Sequence, residues 1–122
     1  MDNYTTTFGQ FIAEIRNRTQ ITCQQLAKKI DISTGYLSQL EHGIRNHPDP
    51  TLVIKIAEAL QLSRAGEVRL YDLYAEETGQ LQPDIVEYLR GNCAARYALR
   101  KAYDGNATEE DWQRFIEQLN NC

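Results

Sequence analysis

TCQQLAKKIDISTGYLSQLEHGIRN, residues 22–46, decides the fold of this chain. The Thr22 hydroxyl can cap the free amides of a helix, and Gln25 three residues on completes a capping box. Leu26, Ala27 and Ile30 then share one face, and the helix is short, ending near Asp31. Ser33 is an N-cap for the next helix, which Tyr36 to His42 continue, and Gly43 supplies a left-handed position that a side chain would strain. Leu37 and Leu40 face inward with Ile32 of the turn, leaving Thr34, Gly35, Tyr36, Ser38 and Gln39 mostly outside. Two helices fixed at a large angle need a small residue where they cross and a turn too short to wander. Ala27 and the run Asp31, Ile32, Ser33 supply these.

Outward from this pair, apolar residues recur at spacings of three and four, so the chain reads as all-α. A first helix spans about Thr7 to Arg18, with Phe8, Phe11, Ile12 and Ile15 on one stripe. Asp49 and Pro50 open a fourth helix carrying Leu52, Val53, Ile56, Ala57 and Leu60. Ser63 caps a fifth with Val68, Leu70, Tyr71, Leu73 and Tyr74, which closes around Glu76 to Gly79. Pro83 starts a sixth, Asn92 caps a seventh, and Thr108 with Asp111 forms a capping box for an eighth bearing Trp112, Phe115, Ile116 and Leu119. The helices divide as five plus three, residues 1–78 and 79–122.

An apolar fraction of 42% supports a core, and 25% charged residues with few glycines and prolines argue against disorder. The net charge of -4 is uneven: residues 1–62 carry six basic and six acidic groups, residues 63–122 seven and eleven. A near-neutral first half can still meet phosphate through its local field, while the acidic second half suits protein contact or simple solvation. Cys23, Cys93 and Cys122 lack metal-ligand spacing. With neither a signal peptide nor an apolar run near 18 residues, a reduced cytoplasmic setting away from membranes is expected.

The outer face of the third helix points to double-stranded DNA. Gln39 can both donate to and accept from adenine, Thr34 and Ser38 can make single hydrogen bonds, and Tyr36 can pack on a thymine methyl or a sugar. Glycine inside a helix costs about 1 kcal/mol relative to alanine, and close approach of Gly35 to a sugar-phosphate rail would offset it. Arg16, Arg18, Lys28, Lys29 and Arg45 are candidate phosphate contacts, with solvated charge as the alternative.

The run at 22–46, followed by PDPTLVIKIAEALQL at 48–62, resembles the helix-turn-helix headpiece of the phage-repressor and Cro type, also called the xenobiotic-response-element type. The resemblance covers roughly residues 8–74. It implies a five-helix lambda-repressor-like headpiece that binds a palindromic operator as a dimer, with the recognition helix 33–42 in the major groove. On it, Thr34, Gly35, Ser38 and Gln39 occupy base-edge or adjacent positions, Tyr36 one that reads bases or sugars, and Arg45 and Asn46 the loop touching phosphate. Cys23 stands where the family often has a phosphate-bonding glutamine, so that contact falls to neighbouring amides.

In the second half, Tyr88, Tyr97, Trp112, Phe115, Ile116 and Leu119 are candidates for a dimer surface; capping of the headpiece and a partner site are the alternatives. The layout also resembles repressors controlled by a companion zinc metallopeptidase, which would cut between Ala98 and Thr108. Antitoxins share such headpieces too, making a toxin a further candidate partner and a protein-interaction module the alternative to a transcriptional repressor. No catalytic set can be assembled and no cofactor is implied. His42, His47 and Asp49 lack a further ligand for a metal, phosphate-cradling glycine loops are missing, and Ser33, Ser38 and Ser63 read as caps or a groove contact rather than nucleophiles. Cys23, in the first turn of a helix, is either an inert thiol or a redox switch whose thiolate the amide ends favour.

Overall fold

A computed structural model describes residues 6–121, and among them the chain forms eight α-helices. They are α1 (Phe8–Arg18), α2 (Cys23–Lys29), α3 (Thr34–Glu41), α4 (Pro50–Ala59), α5 (Arg64–Thr78), α6 (Pro83–Arg90), α7 (Cys93–Asp104) and α8 (Glu109–Asn120). The all-α reading holds, with each helix at its expected place.

The helix starts follow from side-chain caps. Thr7, Thr22 and Thr108 each form a full capping box, with Gln10, Gln25 and Asp111 respectively. Ser33, Asp49, Ser63 and Asn92 cap α3, α4, α5 and α7, and Pro50 opens α4 where no amide partner is needed.

The helix ends share one device. After α1, α2, α3, α4 and α7 a left-handed residue is followed by one whose N–H reaches back to the carbonyl five positions earlier: Ile21 to Arg16, Ile32 to Ala27, Ile44 to Gln39, Leu62 to Ala57 and Ala107 to Ala102, at 2.9–3.2 Å. This closure normally places glycine at the left-handed position. Here Gly43 does so at φ 76°, but Gln20, Asp31, Gln61 and Asn106 adopt φ of 52–62°. The apolar residue that follows packs against the core at Ile21, Ile32 and Leu62, whereas Ile44 after Gly43 is exposed.

Chain contacts divide the protein into Met1–Val86 and Glu87–Cys122. The division falls after Val86 rather than after residue 78 because the start of α6 is tied to α5. Gln82 donates to Asp72 at 3.0 Å, Asp84 lies 3.8 Å from Arg64, and Pro83 is buried.

In the first unit α1 packs on α3 and α5, α2 on α3 and α4, and α4 on α5. Phe8, Ile12, Leu26, Ala27, Ile30, Leu37, Val53, Ile56, Ala57, Leu60, Leu70, Tyr71, Leu73 and Tyr74 form its core. Val68, expected on the inner face of α5, is exposed.

In the second unit α7 and α8 bury no side chain. Tyr88, Tyr97, Phe115, Ile116 and Leu119 are all exposed, Tyr97 to 64% and Leu119 to 57%, while Trp112 is half-buried with its ring edge-on to Phe115 at 6.1 Å. The segment Ala98 to Thr108, suggested as a site of cleavage, is helical through Asp104, and residues 105–108 connect α7 to α8.

Candidate nucleic-acid interface

The corner between α2 and α3 is built from backbone closure. Ile32 N–H bonds the Ala27 carbonyl at 3.0 Å, and the Ser33 hydroxyl accepts from Tyr36 N–H at 3.0 Å. With Leu26, Ala27, Ile30 and Leu37 buried, the angle between the helices is fixed from beneath. Thr34 and Gly35 are exposed on the first turn of α3, and Tyr36, Ser38 and Gln39 are half-buried along the same side. A Cβ at Gly35 would meet nothing within 4 Å, so no neighbour in the protein requires glycine there.

The loop after α3 returns towards that face. The Gln39 carbonyl accepts both Ile44 N–H at 2.9 Å and Arg45 N–H at 3.2 Å. His42 donates its Nδ1–H to the Ser38 carbonyl at 2.8 Å, and Asn46 Oδ1 lies 2.6 Å from His47 Nδ1. Further along, the Tyr74 hydroxyl donates to the Pro48 carbonyl at 2.8 Å and pins the start of α4; burial raises this phenol above its ordinary range and keeps it a donor.

The basic residues separate into two sets. Arg18, Lys28, Lys29 and Arg45 are exposed. Arg16 is placed differently from expectation: its guanidinium grips Glu41 through two bonds of 2.7 and 2.9 Å and donates to the Ile21 carbonyl at 3.1 Å. The Glu41 bonds hold Arg16 further above its already high ordinary pKa. It is a structural tie between α1 and α3, unavailable to phosphate in this arrangement. Glu41 carries no function in the sequence reading, yet both partners extend buried stripes, Arg16 four residues after Ile12 and Glu41 four after Leu37.

Cys23 is half-buried at the start of α2. Its Sγ sits 3.9 Å from the Thr34 carbonyl, bridging the start of α2 to the start of α3. Burial pushes the thiol above its ordinary value and Glu41 adds to this, against an opposing pull from Arg16, so the thiolate is disfavoured. Iodoacetamide near neutral pH is therefore expected to label the exposed Cys93 well before Cys23, as read by peptide mass mapping. Faster labelling of Cys23 would revive the redox reading.

Among the described residues no cluster of three or more His, Cys, Asp and Glu could hold a metal, and no helix is long and apolar enough to cross a membrane. An exposed short helix on a braced corner, backed by a returning basic loop, defines a helix-turn-helix domain. Residues 12–66 match the Helix-turn-helix family model. Through this region the chain is similar to HTH-type transcriptional regulators.

An uncharacterised HTH-type transcriptional regulator of Mycobacterium tuberculosis is 35% identical over 79 residues, 64% of this chain and 56% of that protein. The HTH-type transcriptional repressor RghR of Bacillus subtilis is 34% identical over 59 residues, 48% of this chain and 44% of RghR. The chain thus spans about half the length of these relatives. A solved chain of the SinR protein/SinI protein complex superposes with a TM-score of 0.47 at 18% identity, over 93% of this chain and 95% of that one.

Proposed function

We propose that the chain is a sequence-specific DNA-binding transcriptional repressor that occupies a palindromic operator as a dimer. The observation that carries this reading is the outer face of α3, where Thr34 and Gly35 are exposed, Ser38 and Gln39 lie beside them, and Gly35 faces open space. A helix that tolerates glycine without an internal reason gains from close approach of something outside. In the major groove, Gln39 would read a base, Ser38 and Thr34 would add single contacts, and Arg18, Lys28, Lys29, Arg45, Asn46 and the amides beside Cys23 would meet phosphates. Two such helices about 34 Å apart would engage successive turns of one duplex face. The exposed side chains Tyr88, Tyr97, Phe115, Ile116 and Leu119, with Trp112, supply a surface that a second copy can cover.

Selection from randomised duplexes, with the mass of the complex measured by sedimentation, tests the proposal. A two-fold symmetric sequence bound by two chains is the expected result; recovery of no preferred sequence would remove it. On the selected duplex, Gln39→Ala should lose about 1–3 kcal/mol while sparing random DNA. Lys28→Ala should weaken both and lower the salt slope by about 1. Gly35→Ala should stabilise the free chain by up to about 1 kcal/mol yet weaken the complex. Gain in both would show that nothing approaches that face.

A further inference from the structure

The ring of Tyr36, assigned above to bases or sugars, already has an occupant: the Arg45 guanidinium carbon stands 5.9 Å from its centroid. Arg45 is also anchored at its backbone, through its N–H to the Gln39 carbonyl, and Gly43 at φ 76° makes the reversal that brings the loop back. The residue is therefore held at both ends by α3, although it lies four positions beyond the end of that helix. It takes part in no ion pair found among the described residues.

A guanidinium lying on an aromatic face keeps its edge N–H groups free, and those are the donors that fork onto a phosphodiester. We propose that Tyr36 is a positioning residue whose ring holds Arg45 as a phosphate clamp in fixed register with the Gln39 side chain. Base reading and backbone contact then move as one rigid unit, and the clamp sets how deep α3 can seat. This inference rests on the DNA-binding reading and specifies which side chain orients its phosphate contact.

The test compares wild type, Tyr36→Phe, Tyr36→Leu, Arg45→Ala and the Tyr36→Leu/Arg45→Ala double variant. Each is titrated with the selected duplex and with a random duplex across a salt series, after thermal melts confirm folding. Tyr36→Phe keeps the ring face and should bind as wild type. Tyr36→Leu should lose about threefold to fivefold on both duplexes, the range of one exposed cation–π contact. Arg45→Ala should lose at least as much and lower the salt slope by about 1. The double variant should bind no worse than Arg45→Ala alone.

A loss by Tyr36→Leu confined to the selected duplex, or additive losses in the double variant, would overturn the inference and return Tyr36 to base reading. Wild type that binds neither duplex would instead bring down the DNA-binding reading itself, and the clamp with it.

Discussion

Replacing Glu41 with alanine is expected to cost about 3–5 kcal/mol of folding stability, a large fraction of what a domain of this size has. Glu41 is 5% exposed at its side chain and Arg16 14%. Their two-bond geometry satisfies both carboxylate oxygens, and the third donor of Arg16 reaches the Ile21 carbonyl in the turn that closes α1. Removing the carboxylate leaves a guanidinium at the α1–α3 junction with one backbone partner and little water. A neutral pair of similar volume, Arg16→Met with Glu41→Leu, should recover most of the loss, because the penalty lies in the uncompensated charge rather than in the absence of the bridge. Urea denaturation of the three chains measures this directly. A loss below about 1 kcal/mol for Glu41→Ala would mean that the pair behaves as a solvated surface bridge.

The same residues show how much of the fold could be read from sequence. Helix starts were legible because capping has a side-chain signature: Thr22 with Gln25, Asp49 before Pro50 and Thr108 with Asp111 all cap as expected. Helix ends were less so. The closure used five times requires a left-handed residue, and the customary glycine marks it only at Gly43; Gln20 and Gln61 carry no such mark.

Two charged residues on buried stripes, Arg16 and Glu41, were the visible sign of an internal pair, but each stripe lies in a different helix and only the fold brings them together. The outer side of α3, with Thr34 and Gly35 exposed and Tyr36, Ser38 and Gln39 half-buried, followed from the periodicity of that helix alone. The placing of Arg45 over the Tyr36 ring did not, because it depends on the path of a loop rather than on a spacing. The boundary moved to Val86 for a similar reason. Gly79 and Pro83 punctuate the chain, but Gln82 and Asp84 hold the segment after them on α5.

Gly9→Ala is expected to destabilise the chain by about 3 kcal/mol, although alanine is the better helix former by about 1 kcal/mol. A Cβ at Gly9 would stand 2.2 Å from the Leu40 carbonyl oxygen and 2.6 Å from that of Glu41. Neither is the end of a flexible side chain; both are backbone at the last turn of α3, so relief requires one helix to move. Withdrawal of α1 would pull Phe8 and Ile12 from the core, lengthen the Arg16–Glu41 bonds and strain the 2.6 Å bond from Phe8 N–H to Glu77. Withdrawal of α3 would displace the turn at Gly43, from which Arg45 returns to Tyr36. The sign of the effect is decisive, since Gly35→Ala, at an open position of α3, should shift stability in the opposite direction. Parallel urea melts of the two variants make the comparison, and a Gly9→Ala chain as stable as wild type would show that α1 and α3 cross at a greater distance. Any destabilised variant that still binds duplex at low temperature should do so with a reduced contribution from Arg45, because the crossing at Gly9 and the seating of the returning loop share the final turn of α3.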